Sequence, residues 1–109
     1  MPDEGLRLDH VNMPARDPET LASWYATTFD LRADGYRVRG PGLLLVFVKG
    51  EPVKRAPELH LGLRVPSQAA LDQWASRLGA QVTPGPEFNA LRTFDPEGNC
   101  VEVYCKAGS

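Results

Sequence analysis

The segment Leu8-Asp9-His10-Val11 is matched 50 residues later by Glu58-Leu59-His60-Leu61, so each half of the chain opens on a stretch that carries one histidine. These are the only two histidines in the chain. The same offset relates two further pairs, namely Leu21 with Leu71 and Trp24 with Trp74. A repeat of this length predicts two copies of one supersecondary unit.

Composition narrows the class of protein. The 109 residues are 42% hydrophobic and 24% charged, which is typical of one soluble globular domain. The net charge is −2 and no basic stripe is visible, so we expect no nucleic-acid partner. The longest apolar run, 43–48, is too short to span a membrane, and the acidic N-terminus lacks the apolar core of a signal peptide. We therefore expect a cytoplasmic protein.

Local signals predict the same order of elements in both halves. Strands are expected over 6–13, 31–34, 36–39 and 43–48, and again over 59–65, 81–83, 88–94 and 100–105. Asp17 and Ser67 are expected to cap the two helices, and Gly79 to end the second. Pro14 is expected to end the first strand, and the continuous apolar run 43–48 predicts burial on both faces. Each half thus reads β-α-β-β-β.

Alternation along the strands sorts the polar residues onto one face. Val101 and Val103 suit the face that packs on a helix, so Glu102 between them points the other way. Cys100 and Cys105 are five residues apart on this strand and cannot bridge to each other. The polar face is expected to collect His10, Asn12, His60, Cys100, Glu102 and Tyr104.

Three of these residues form a candidate metal site. His10, His60 and Glu102 supply two imidazoles and one carboxylate from separate strands, which is a ligand set for one face of a metal ion. A carboxylate on an inward face also needs compensation of its charge, which a cation provides. We predict one divalent metal per site, iron, manganese, zinc or nickel. The alternative is a polar cavity that holds no metal.

With these residues in view, the chain resembles the vicinal oxygen chelate superfamily of glyoxalases, fosfomycin-resistance enzymes, extradiol dioxygenases and bleomycin-binding proteins. The resemblance covers about residues 6–105. It rests on Asp9-His10-Val11, Trp24-Tyr25, His60, and the turn Asp95-Pro96-Glu97-Gly98-Asn99 followed by Glu102.

The resemblance implies an α+β fold in which two βαβββ modules, 6–50 and 58–105, form one glyoxalase-like domain over residues 1–109. The mixed sheet would be cup-shaped, with the helices on its convex side. His10, His60 and Glu102 match the metal-binding positions of the dioxygenases and fosfomycin-resistance enzymes. We also predict a homodimer, because pairing would bury exposed sheet edges. The resemblance implies that the three ligands meet either within one chain or across the boundary between the two subunits.

The expected function is that of a metal-dependent enzyme that binds two neighbouring oxygens of a small oxygen-rich molecule. Asn12 and Tyr104 are the candidate catalytic residues, and Arg92 and Cys100 are the candidate substrate-binding residues.

The reaction stays open between lyase, isomerase, thiol transferase and dioxygenase. The strand 43–48 lacks the acid of a glyoxalase, a third histidine is missing for a dioxygenase, and no cationic cluster for a phosphonate is evident. The alternative is a non-catalytic drug-binding protein of the bleomycin-resistance type.

Overall fold

The computed structural model describes residues 5–53 and 59–109. The chain divides into two compact units, Met1–Val53 and Lys54–Ser109. The predicted modules, 6–50 and 58–105, fall one in each unit, while their union in a single cup-shaped domain stays a prediction. In the described part of the chain, no helix has the length and apolar character needed to cross a membrane.

The first unit is a four-stranded mixed sheet with one helix. Its elements are β1 (Val11–Ala15), α1 (Pro18–Phe29), β2 (Arg32–Asp34), β3 (Arg37–Gly40) and β4 (Leu43–Lys49). The strand order is β1-β4-β3-β2, in which β1 and β4 are parallel and the other pairs are antiparallel. The two short strands lie within a residue or two of their predicted positions.

Helix α1 begins as its sequence predicts. The Asp17 side chain accepts a hydrogen bond from the Thr20 backbone N–H at 3.3 Å, and Pro18 occupies the first helical position. Its apolar face lies on the sheet, and Tyr25 stacks on Phe47 with ring centroids 5.3 Å apart. The buried side chains of this core are Ala15, Leu21, Ala22, Tyr25, Phe29, Val38, Leu45 and Phe47.

The predicted first strand is wrong at both ends. It does not begin at residue 6, and it includes Pro14, which is paired with Val48. Proline lacks a backbone donor and is tolerated here because β1 is the edge strand of its sheet. His10 consequently lies just before β1 instead of within it.

The predicted burial of the 43–48 run on both faces is also wrong. Leu45 and Phe47 are buried, but Val48 is 47% exposed and the residues between them are only partly covered. Alternate side chains of a strand point to opposite faces, and α1 covers one of them. The other face of this strand, which carries Leu44, Val46 and Val48, is therefore not buried under the helix of its own unit.

The second unit repeats the plan with one strand fewer. Its elements are β5 (His60–Arg64), α2 (Gln68–Leu78), β6 (Phe88–Phe94) and β7 (Cys100–Lys106). The strand order is β5-β7-β6, with β5 parallel and β6 antiparallel to β7. Helix α2 has the predicted ends, since the Ser67 hydroxyl accepts from the Ala70 N–H at 3.1 Å and Gly79 closes the helix with φ 64°.

The strand predicted over 81–83 does not form. Only Thr83 pairs, in an isolated bridge with Ala90 that has two backbone hydrogen bonds of 2.7 and 3.0 Å. Pro84 follows directly and has no N–H to extend the ladder. The second module is therefore a βαβββ-like unit in which a single bridge replaces its third element.

The turn between β6 and β7 is built around a buried carboxylate. Asp95 is 4% exposed, and its side chain accepts hydrogen bonds from the backbone N–H groups of Glu97 and Asn99, both at 2.9 Å, and from the Asn99 amide at 2.8 Å. Gly98 supplies the positive φ of 91° that the turn requires. These contacts fix where β7 begins and therefore the position of Glu102 on that strand.

We expect Asp95→Ala to lower the free energy of unfolding by about 2–4 kcal/mol, because backbone donors lose their partner inside the turn. Urea unfolding followed by circular dichroism measures the change. Asp72→Ala, at an exposed aspartate of α2, is the control and should change stability by no more than about 0.5 kcal/mol. Equal effects of the two substitutions would contradict a structural role for the Asp95 carboxylate.

Candidate metal and ligand site

The second unit contains an open cleft of about 680 Å³, within the roughly 300–1,000 Å³ of common ligand pockets. Its polar lining consists of His60, Thr83, Arg92, Glu102 and Tyr104. Its small and apolar lining consists of Gly62, Pro84, Gly85, Phe88 and Ala90. Three of the residues predicted from the sequence as ligands or catalytic groups, and one predicted to bind substrate, therefore share one cleft.

Strand register explains why Glu102 lies at the centre of the floor. On β7 it is paired with Gly62 of β5 on one side and with Arg92 of β6 on the other. Paired residues on neighbouring strands point to the same face of a sheet. The carboxylate thus has an open space on the glycine side and a cation on the arginine side.

His60 reaches into the open space beside Glu102. Its Nε2 lies 3.6 Å from Glu102 Oε1, and the two side chains are only 26% and 22% exposed. This separation exceeds that of a good hydrogen bond. It matches two donors that share one ion, since each bond to such an ion is about 2.0–2.2 Å long. The chemistry and spacing of this pair fit a divalent metal.

The other ring nitrogen of His60 is buried. Its Nδ1 has no hydrogen-bond partner among the residues that the structure describes. An unsatisfied buried polar atom costs about 1–3 kcal/mol. His60 is thus held at a cost in stability, which is common for residues kept for function.

Arg92 lies on the opposite side of Glu102. Its Nε is 3.4 Å from Glu102 Oε2, and its side chain is 48% exposed. An exposed pair of this kind contributes only about 0.2–1 kcal/mol. The guanidinium can therefore leave Glu102 for another anion at little cost.

The far end of the cleft is aromatic. Phe88 and Tyr104 meet edge to face, with ring centroids 5.5 Å apart and ring planes at 87°. Phe88 keeps 45% of its surface exposed, and Ala90, opposite Tyr104, adds no bulk. The cleft therefore has a charged end and an apolar end.

Cys100 lies apart from this lining. It is paired with His60, but it is 6% exposed and does not line the cleft. Both cysteines are free, and Cys105 is fully buried, as expected for a core residue. A substrate contact of Cys100 stays a prediction, and its burial favours a packing role.

The remaining candidates, His10 and Asn12, belong to the first unit. Asn12 is an exposed residue of β1, in register with Val46. His10 is 47% exposed at its side chain, and its Nδ1 lies 2.8 Å from Asp9 Oδ2. A carboxylate on one ring nitrogen is the usual partner of a histidine whose other nitrogen binds a metal. This contact leaves Nε2 of His10 for a metal, and the role of His10 as a ligand stays a prediction.

Among the described residues, no three His, Cys, Asp or Glu side chains lie close enough together to hold a metal ion. His60 and Glu102 come together in the second unit, and His10 lies in the first. The complete three-residue ligand set stays a prediction.

Six of the ten residues that line the cleft were not predicted as site residues from the sequence, and Gly62 and Phe88 are two of them. Gly62 is the partner of Glu102 on β5 and adds no side chain to the floor of the cleft; a Cβ there would meet only the Tyr104 ring, at 3.6 Å. Phe88 forms the apolar wall. Both lie on the face predicted to be polar. The alternation of side chains along a strand places Gly62 on the same face as His60, and Phe88 on the same face as Arg92.

A mixed sheet and a helix in each unit, with a polar cleft floored by strands in the second, is the arrangement that the resemblance to the vicinal oxygen chelate class implies. The family model of the glyoxalase-like domain matches residues 10–104, and the chain belongs to this family. Solved structures share the fold.

A possible glyoxalase from Bacillus cereus superposes with a TM-score of 0.74 at 23% sequence identity, and the match covers 93% of this chain and 100% of that protein. A fosfomycin resistance protein from Listeria monocytogenes has a TM-score of 0.72 at 17% identity, covering 92% and 93%. Lactoylglutathione lyase from Agrobacterium tumefaciens has a TM-score of 0.70 at 17% identity, covering 91% and 92%. No curated protein matches the chain in sequence.

Proposed function

We propose that this protein is a metal-dependent enzyme that acts on a small oxygen-rich molecule, with His60 and Glu102 as two of its metal ligands. The observation that carries the proposal is the 3.6 Å approach of His60 Nε2 to Glu102 Oε1 in a cleft of ligand size. Relatives of the same fold include a lactoylglutathione lyase and fosfomycin resistance proteins, which supports an enzyme.

The residues of the cleft have distinct roles in this proposal. A bound divalent ion supplies Lewis-acid chemistry to two neighbouring substrate oxygens. Glu102 and His60 hold that ion, and the Tyr104 phenol donates a hydrogen bond to the substrate. The reaction is of lyase, isomerase, thiol-transferase or dioxygenase type.

His10 is the proposed third ligand, through Nε2, because Asp9 already occupies its Nδ1. We propose a homodimer, since the described residues include exposed Leu6 and Leu8 next to the edge strand β1. Sedimentation of the full chain, with and without metal, measures this association.

Metal titration of the purified full chain tests the proposal. The chelator-stripped protein is titrated with zinc, manganese, nickel and, without oxygen, ferrous iron, and bound metal is measured after gel filtration. We expect one ion per site. A protein that binds none of these ions but still binds an aromatic drug would instead be a binding protein.

Asp9→Asn tests the orientation of His10. The amide keeps the size of the side chain but loses its charge, so we expect metal affinity to fall by about tenfold. This is the lower end of the effect expected for a residue that hydrogen-bonds a metal ligand, because Asp9 is largely exposed. Competition with a chromophoric chelator measures the affinity. Asp34→Asn, at an exposed aspartate of β2, is the control and should leave it unchanged. An unchanged affinity in Asp9→Asn would remove Asp9 from the site.

A further inference from the structure

We infer that the cleft takes a small carboxylate with an apolar body of about one aromatic ring, and that Arg92 changes partner from Glu102 to the carboxylate of this ligand when the ion binds. The inference rests on the proposed function for the ion-bound state. It names the class of ligand and the residue that selects it.

Charge within the cleft supports an anionic ligand. The charged lining residues are Arg92 and Glu102, whose charges cancel while they face each other at 3.4 Å. Once Glu102 binds a divalent cation, the lining carries an excess of positive charge. The Arg92 guanidinium then lies beside a cation instead of a free carboxylate, and the negative charge of a ligand carboxylate compensates its positive charge.

Geometry places this anion next to the chelated oxygens. Arg92 and Glu102 are directly paired across β6 and β7, and Arg92 Nε lies 3.4 Å from Glu102 Oε2. A ligand that binds the ion through two oxygens therefore has its acid group within reach of Arg92. A 2-hydroxy or 2-oxo acid has these groups on adjacent carbons.

The opposite end of the cleft selects the body of the ligand. Ala90 lies two residues before Arg92 on β6, and its small side chain leaves room above the floor. Beyond Ala90, Phe88 and Tyr104 form an edge-to-face aromatic pair. An aromatic ring packs on such a pair more favourably than an alkyl group of a carbon or two.

The test uses zinc-loaded full chain and three probes, 3-phenyllactate, its neutral amide, and lactate, with binding measured by calorimetry. We expect 3-phenyllactate to bind more tightly than either of the others. Arg92→Gln should reduce the preference for the acid over the amide on the order of 10-fold. The part of the preference that remains comes from the ion, which the ligand carboxylate also binds. The zinc affinity of Arg92→Gln should stay the same or rise by up to about tenfold, because a neighbouring positive charge is gone.

Each change has a matched control. Arg64→Gln alters an exposed arginine of β5 that does not line the cleft, and it should keep the preference for the acid. Phe88→Ala should weaken the preference for 3-phenyllactate over lactate about 3-fold or more. Phe94→Ala alters an exposed aromatic residue of the same strand outside the cleft and should not.

The outcomes separate this inference from the proposed function. If the chain binds no metal, the proposed function fails, and the probes are then applied to Glu102→Gln, in which Arg92 has lost its partner. That variant should prefer the acid without any ion. Equal binding of acid and amide by both the zinc-loaded chain and Glu102→Gln, or an acid preference that is undiminished in Arg92→Gln, would overturn the role of Arg92.

Discussion

Glu102→Gln is expected to reduce metal affinity by more than ~10–100-fold, which is the typical cost of losing a residue that only hydrogen-bonds a metal ligand. Glutamine keeps the length and shape of the side chain but removes the negative charge between His60 and Arg92. Competition with a chromophoric chelator measures the loss. Glu87→Gln, at an exposed residue outside the cleft, is the control and should bind metal like the parent chain.

His60 allows the effects on metal binding and on stability to be separated. His60→Phe removes the imidazole but fills a similar volume, so metal affinity should fall as in Glu102→Gln. The stability of the metal-free chain should stay the same or rise, because the substitution removes a buried Nδ1 that lacks a partner in the described residues. Metal affinity that survives both substitutions would end the metal-site proposal.

Phe47→Ala is expected to lower the free energy of unfolding by about 3–5 kcal/mol. This is a large fraction of the total free energy of unfolding of a typical domain, about 5–15 kcal/mol. Phe47 is 1% exposed and stacks on Tyr25, so truncation leaves a cavity between α1 and the sheet. Urea unfolding followed by circular dichroism measures the effect.

Phe94→Ala is the matched control for this change. Phe94 is also an aromatic residue within a strand, but it is 56% exposed, so its loss should cost well under half as much. A similar cost at both positions would show that α1 and β4 do not form the core of the first unit.

Local elements could be predicted from the sequence because their causes are local. Asp17 and Ser67 cap the helices through hydrogen bonds to residues three positions ahead. The turn at Asp95 closes on side-chain contacts within four residues. Errors arose where a neighbour along the sheet decides the outcome. Pro14 is accepted only because β1 lies at an edge, and Thr83 pairs alone because Pro84 follows it.

The candidate site shows the same division. Period two correctly assigned His60 and Glu102 to one face, because alternation along a strand needs no knowledge of its neighbours. Their approach to 3.6 Å depends on the register of β5 against β7, which alternation within one strand does not give. Arg92 had a possible role in the sequence, but only the register of β6 places it beside Glu102.

The sequence by itself determined the order of most elements, the starts of both helices, the Asp95 turn and the common face of His60 and Glu102, since short-range hydrogen bonds and alternation set all of these. The tertiary structure decided which strands are neighbours and in which register. Pairing between strands distant in the chain brings Gly62 and Arg92 to the two sides of Glu102. That register turns separate residues into a cleft with a charged end and an aromatic end, because side chains on different strands meet only where backbone hydrogen bonds align them.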